Sequence, residues 1–283
     1  MKTLKTGSKG TDVRSLQQNL LLSGYPVIVD GIFGTATEKA LIQFQIDNNL
    51  APDGLAGTNT LAVLNDLQNS QPVMGIDVSH YNGIIDWNKV DQKQVKFVYC
   101  KASQGKSYRD EMLQANMNEL KRLNIIRGTY HFFTFKDVTA IDQVNNFINA
   151  GIDFTQPGTL PPVLDIEWQQ SDTLNQYIKN NLTLCINKLN DWLVGVKNAT
   201  GRQPIIYTNA NFWKDYLDDH PGFGNYPLWI SSYRNDLPAL ASGWKDYLIW
   251  QYTANGTISG INGNVDKNKF NGTLKQLRKL ALL

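Results

Sequence analysis

The chain has 283 residues, 42% hydrophobic and 18% charged, with 27 basic against 25 acidic side chains and a net charge of +2. It is long enough for two domains with buried cores, too apolar for a disordered chain and too evenly charged for a nucleic-acid binder. No stretch reaches the roughly 18–20 apolar residues that cross a bilayer, so no membrane insertion is expected, and residues 1–5 (MKTLK) lack the apolar run of a signal peptide.

Residues 12–22 (DVRSLQQNLLL) carry apolar side chains at Val13, Leu16, Leu20 and Leu21. That is helical spacing, with Thr11 or Asp12 available as a cap. A turn-forming run, Asp30-Gly31-Ile32-Phe33-Gly34, precedes a second helix capped by Thr35, in which Ala36, Ala40, Leu41 and Phe44 share a face. Pro52-Asp53-Gly54 makes another turn, and a third helix runs from Thr58 or Asn59 to about Leu67. The segments DGIFGTATEKAL and DGLAGTNTLAVL form an internal repeat offset by 23 residues. In each, the aspartate can accept local backbone N–H groups and the glycine tolerates positive φ. Residues 1–68 are therefore expected to form a small three-helix domain. Residues 69–73 are a polar linker too short to let the domains roam, and residues 74–283 form the second domain.

The second domain contains eight strand-like runs, at 74–79, 95–100, 125–131, 162–167, 204–208, 228–231, 247–252 and 264–266. Helical patterns lie at 109–123, 139–149, 173–198 and 210–219, with a shorter turn near 86–92. Alternation of strand and helix predicts a parallel sheet, and eight units predict closure into a barrel. The gaps 232–246 and 253–263 leave no room for full helices. The expected fold is α/β, an irregular (β/α)5β3 TIM-like barrel preceded by the three-helix domain. Cys100 ends a largely apolar run and Cys185 lies in a helical pattern, so both read as buried thiols, neither disulfide nor nucleophile.

Catalytic groups of parallel barrels sit at the C-terminal ends of the strands. Those ends carry Asp77, Tyr130-His131, Asp165, Glu167, Tyr207, Trp229 and Trp250-Gln251-Tyr252, with Asp266 in the last strand. Four carboxylates ringed by aromatics thus converge on one mouth. Asp165 and Glu167, two apart, point the same way, and Val163, Leu164, Ile166 and Trp168 around them are apolar. Two acids in such a run push one pKa up and keep a carboxyl protonated near neutrality, which is what a general acid needs. A solvated edge strand is the alternative, which the bulk of Leu164 and Ile166 opposes. Glycoside hydrolysis uses such a pair, and aromatics would hold the sugar, although each of them also suits core packing. His80, His131 and His220 lack metal-ligand spacing, so no metal or cofactor is expected. His131 is placed to bond a carboxylate in the pocket.

Residues 7–64 resemble the peptidoglycan-binding domain 1 family through Gly7, Gly10, Val13, Leu16, Gln17, Leu20, Gly24, Tyr25, Asp30-Gly31, Phe33-Gly34, Thr37, Ala40, Phe44-Gln45, Asp53-Gly54, Gly57, Thr60 and Leu64. Residues 74–270 resemble glycoside hydrolase family 25, the Chalaropsis-type lysozymes. The motifs are GIDVSHYNG (75–83), IDW (85–87), VYCKAS (98–103), GTYHF (128–132), PVLDIE (162–167), PIIYT (204–208), LWI (228–230) and WQY (250–252). This resemblance implies the irregular barrel and cleavage of the MurNAc–GlcNAc β-1,4 bond. It makes Glu167 the general acid, with Asp165 orienting the reacting groups and Asp77 and Asp266 completing the acidic cluster. Tyr81, Tyr130, Tyr207, Trp229, Tyr233 and Gln251 would line the sugar groove. Gln104 stands where the family commonly shows an acidic residue or Thr, and Thr129 where a smaller or different residue is frequent. Those departures touch fine specificity.

The expected partner is bacterial peptidoglycan, bound by a monomer. A non-catalytic glycan binder is opposed by the complete carboxylate set, an amidase or peptidase by the lack of a zinc or Cys/His site, and a chitinase-like enzyme by Val163 where an extra aspartate would fall. The second route to hydrolysis, an inverting water or the sugar's own N-acetyl group, stays open here, with a lean to the latter. A wall-binding module joined to a muramidase without a leader resembles a phage endolysin, made in the host cytoplasm and released through holin pores. A muramidase toxin delivered by a secretion system has the same needs.

Overall fold

The computed structural model describes residues 3–70, 73–234 and 237–283. Three helices open the chain: α1 (Thr11–Leu22), α2 (Thr35–Asp47) and α3 (Thr58–Ser70). The first two begin at Thr11 and Thr35, residues expected to cap them, with Gly10 and Gly34 at the cap positions and no side-chain cap. Because α3 runs to Ser70, the expected linker shrinks, and its Gln71 and Pro72 lie outside the described residues. Val13, Leu16, Leu20, Phe33, Leu41, Phe44 and Leu64 form the core of this domain.

The sequence repeat is also a structural one. In the first copy, Gln17 Nε2 donates to Asp30 Oδ1 (2.8 Å), Ile32 O (3.0 Å) and Thr37 Oγ1 (3.0 Å), while its Oε1 accepts from Gly31 N (2.7 Å). In the second, Gln45 Nε2 donates to Asp53 Oδ1 (2.8 Å), Leu55 O (3.0 Å) and Thr60 Oγ1 (3.3 Å), and its Oε1 accepts from Gly54 N (3.0 Å). Gly31 and Gly54 take φ of 78° and 69°, the left-handed region the turns require. Each buried glutamine thus ties one Asp-Gly turn to the helix that follows.

The second domain alternates strands and helices: β1 (Val73–Val78), β2 (Phe97–Gln104), β3 (Tyr108–Arg109), α4 (Leu113–Arg122), β4 (Ile126–Phe132), α5 (Ala140–Ile148), β5 (Val163–Ile166), α6 (Asp172–Asn180), α7 (Leu182–Thr200), β6 (Ile205–Asn209), α8 (Ala210–Tyr216), β7 (Leu228–Ser231), β8 (Ile249–Gly256), β9 (Val265–Phe270) and α9 (Leu274–Leu280). The sheet order β1-β9-β8-β7-β6-β5-β4-β2 closes through β1–β2 pairing into an eight-stranded barrel, with β3 added as a hairpin strand on β2.

Four details differ from expectation. The last strand is longer than 264–266 and runs antiparallel to both neighbours. The helix expected over 173–198 is two helices that meet at Asn181. The short strand β3 was not anticipated. The first of the five expected βα units has no α-helix: its connection carries 3-10 turns, His80–Asn82 and Trp87–Lys89, the second falling in the short turn expected near 86–92.

Side chains alternate along each strand between two cores. Phe97, Tyr99, Val163, Ile205, Trp229, Ile249 and Phe270 fill the barrel interior, and Leu274 and Leu277 of α9, with Ala281 just after it, plug its lower end. Gly75 and Gly128 make room for the rings of Phe97 and Tyr99, since a Cβ there would fall 2.4 and 2.3 Å from them. The other row, including Val98, Cys100, Leu164, Ile166 and Ile206, packs against the helices. Both cysteines are buried and free, as read from the sequence.

The three-helix domain touches the barrel at the end closed by α9. There Lys93 Nζ lies 4.9 Å from the centre of the Tyr25 ring, Arg278 hydrogen-bonds Asn19, and α3 runs against α9.

Candidate active site

At the opposite, C-terminal end of the strands opens a cavity of about 140 Å³, lined by Asp77, Tyr130, Val163, Asp165, Glu167, Tyr207, Trp229, Tyr233, Gln251 and Asp266. Nine of the ten sequence-nominated residues are therefore brought together. The tenth, Tyr81, stands on the rim, 85% exposed, with its ring centre 4.0 Å from that of His80. The turn that carries it is capped by the Ser79 side chain, and His80 Nδ1 lies 2.8 Å from Asp110 Oδ2 and 2.9 Å from the Tyr108 hydroxyl.

The site is built from inward-facing strand positions. Asp77 of β1 is the register partner of Asp266 on β9, which antiparallel pairing brings directly opposite. Asp77 Oδ2 accepts from Asn268 Nδ2 (2.7 Å) and Gln251 Nε2 (3.0 Å). Both amides are oriented from behind. Tyr207 and Tyr233 each donate a hydroxyl to Gln251 Oε1 at 2.9 Å, and Trp229 Nε1 donates to Asn268 Oδ1 at 2.8 Å. The indole N–H can only donate and so fixes the oxygen of Asn268, while an ionised Asp77 oxygen can only accept and so fixes the nitrogen of Gln251.

The carboxyls are held out of water, and this decides their protonation. Burial, then the charge of Asp77, pushes Glu167 up to about 7. Burial and the charge of Asp77 push Asp266 up to about 8. Burial raises Asp77 as well, but its two amide donors favour the charged form. Asp165 is raised by burial and then by Glu167, while Lys101 pulls both Asp165 and Glu167 back down. Among the described residues, Asp165 Oδ1 is buried with no hydrogen-bond partner. Such an oxygen is costly unless a ligand group meets it.

The arrangement offers two carboxyls raised by burial, Glu167 and Asp165, the second with an unpartnered buried oxygen, in a cleft with aromatic walls. It can protonate a leaving oxygen and stabilise a nearby positive charge.

Two placements correct the sequence reading. His131 does not reach the pocket. It faces the helix layer, fully buried, with Nδ1 2.8 Å from Ser103 Oγ, Nε2 3.2 Å from Gln143 Oε1, and its ring stacked on Trp192. Desolvation lowers it to about 3. Trp250 and Tyr252, flanking Gln251, likewise face the outer core. Sequence reasoning missed Asn268 and Val163, and gave Lys101 no role. Asn268 follows Asp266 at the period-2 spacing, a signal lost where the expected strand stopped at 266.

The family model described as glycosyl hydrolases family 25 matches residues 76–261, and that of a putative peptidoglycan binding domain matches residues 9–64. Lysozyme M1 of Streptomyces globisporus is 35% identical over 211 residues, which cover 74% of this chain and 71% of that protein. The crystal structure of the bacterial lysozyme from Streptomyces coelicolor superposes with a TM-score of 0.70 at 34% identity, covering 75% of this chain and 98% of the other. A family 25 lysozyme from Aspergillus fumigatus gives a TM-score of 0.67 at 28% identity, over 75% and 99% of the two chains.

Proposed function

The chain belongs to glycosyl hydrolases family 25, and from that premise we propose that Glu167 is the acid of its reaction and that Asp165 steadies the cation the reaction forms. The protein is a muramidase: it hydrolyses the β-1,4 bond between MurNAc and GlcNAc in bacterial peptidoglycan. One observation carries the residue roles. Glu167 is held near pH 7 beside Asp165, whose buried Oδ1 is unpartnered.

In the proposed route the Glu167 carboxyl gives its proton to the glycosidic oxygen as the bond from C1 breaks. The carbonyl oxygen of the MurNAc N-acetyl group closes on C1, and Asp165 Oδ1 accepts the amide N–H of the resulting oxazolinium. Water then attacks C1 with Glu167, now ionised, taking its proton, so the anomeric configuration is retained. Asp77, fixed by its two amides, and Asp266 shape the field below the sugar. Tyr130, Tyr207, Trp229 and Tyr233 wall the cleft, and Tyr81 extends it at the rim.

The N-terminal domain matches a peptidoglycan-binding model, which supports a role in holding the enzyme on the wall. In this reading the protein acts as a monomer. The pairing of the two modules suits a phage endolysin released by a pore-forming partner, with a delivered toxin as the competing setting. The test is mass spectrometry of fragments released from purified sacculi by the protein and by Glu167→Gln. Reducing-end MurNAc from the first and none from the second is the expected result; free stem peptides would overturn the reading.

A further inference from the structure

Lys101 has no part in the scheme above and is not among the residues lining the cavity, yet its strand carries it to the same end of the barrel. On β2 it shares the inward row of Phe97 and Tyr99, and in the β2–β4 register it pairs with Tyr130. Its side chain is buried, with the residue 7% exposed. The ammonium lies 5.0 Å from the ring centre of Phe132 and 5.8 Å from that of Tyr108, and Phe132 is the register partner of Asp165. Its hydrogen bond goes to a neutral group, Gln104 Oε1, at 2.8 Å. A buried ammonium beside a neutral amide is expensive unless charges slightly farther away compensate it. The compensating charges are those of Asp165, Asp110 and Glu167.

We propose that Lys101 is a positioning residue for hydrolysis: its ammonium, left without a local counter-ion by Gln104, supplies the positive charge against which the Asp165–Glu167 pair divides its protons. This inference rests on the assignment of Glu167 as the acid. Without a cation, burial and mutual repulsion would raise the two carboxyls further, leaving less charge to steady the oxazolinium. With a full salt bridge at position 104, the charge of Lys101 would be neutralised before it reached them. The neutral glutamine avoids both outcomes.

The groups facing Lys101 come from several elements. Asp165 and Glu167 stand at the end of β5, Tyr130 on β4, Tyr108 on β3 and Asp110 just after it. Asp77 of β1 acts on both carboxyls and Asp266 of β9 on Asp165, and the His131 ring behind the sheet feels the ammonium as well. Of the charged groups in this set, Lys101 is the cation acting on Asp165 and Glu167.

The experiment is the pH dependence of kcat on soluble glycan fragments for the full chain, Lys101→Met, Lys101→Arg, Gln104→Glu and Glu167→Gln. Removing the ammonium raises both carboxyls, so both limbs of the Lys101→Met profile move up by about one pH unit, a tenfold loss on the acid limb. Gln104→Glu adds a negative charge and moves the profile the same way, and Lys101→Arg keeps it in place. A residue that only packs would lower kcat at every pH without moving the limbs. Unmoved limbs in Lys101→Met overturn the proposal, and if that variant does not fold, unmoved limbs in Gln104→Glu overturn it. If Glu167→Gln is inactive and those limbs stay put, only this proposal falls. Turnover by Glu167→Gln removes the acid assignment and this inference with it.

Discussion

Asp77 and Asp266 face each other across the antiparallel β1–β9 ladder, and they are not equivalent. Asp77 takes two amide N–H donors on one oxygen, whereas Asp266 is raised to about 8 and keeps its proton. Two buried carboxyls are compatible in this way because only one carries charge.

That asymmetry gives the first prediction. Asn mimics a protonated carboxyl, so Asp266→Asn should hold kcat within about tenfold of the parent. Asp77→Asn keeps an oxygen for both amides but removes the negative charge that strengthens their hydrogen bonds, at roughly 1.5–3 kcal/mol for a hydrogen bond to a charged group. It should lower kcat by about a hundredfold. Steady-state rates of the two variants on glycan fragments decide it; equal losses would dissolve the distinction.

Glu167→Gln should reduce turnover by a factor of about 100 to 10,000 or more, the usual worth of a positioned acid, with circular dichroism and sedimentation on sacculi unchanged.

The same carboxyl sets a pH limit. Activity needs Glu167 protonated, so kcat should fall as pH rises through about 7. Burial has raised this group from 4.5, so the folded state binds its proton more tightly than the unfolded chain. The stability it contributes is whole below about 4.5 and is lost as pH rises through about 7. Glu167→Gln should therefore unfold at a higher temperature than the parent at pH 8, by an amount on the order of 2–3 kcal/mol, with little difference at pH 4. Coincident melting curves at pH 8 would contradict this.

In the N-terminal domain, Gln45→Leu leaves the Gly54 N–H and the Thr60 hydroxyl without their buried partner. It should cost about 1–3 kcal/mol of that domain's stability and weaken retention on sacculi while sparing cleavage of soluble fragments. Calorimetry of the full chain, where the two domains can melt apart, separates these effects.

Removing residues 1–70 takes away the contacts of Tyr25 and Asn19 with Lys93 and Arg278, which lie far from the mouth. A folded, active barrel with weaker wall attachment is expected. Unchanged co-sedimentation would show that the anchor lies elsewhere.

Much of this was legible because strands impose a period of two. That rule, applied to PVLDIE with the mouth placed at the strand ends, located Asp165 and Glu167. The same rule, followed one residue further, would have turned His131 outward, since its neighbour Tyr130 points in. The expected last strand stopped at 266, before the polar stretch Lys267-Asn268-Lys269, whose outward lysines hide an inward asparagine. The break at Asn181 sits inside a continuous helical pattern, and only packing of α6 and α7 against different neighbours separates them. Lys101 was quoted within a motif, but nothing in the sequence says that a neutral amide receives it.

The hydrogen bonds that orient Asp77 reach across 174 and 191 positions of the chain. The glutamine ties of the N-terminal domain span only 13 and 8 to their aspartates. Contacts so different in range form at different times as a polypeptide leaves the ribosome. The small domain can assemble while most of the barrel is still untranslated, whereas the catalytic centre cannot exist until β9 has emerged and sealed the ring. Any nascent or prematurely terminated product that stops short of β9 is therefore a binder without a blade, and lytic power appears only with the finished molecule.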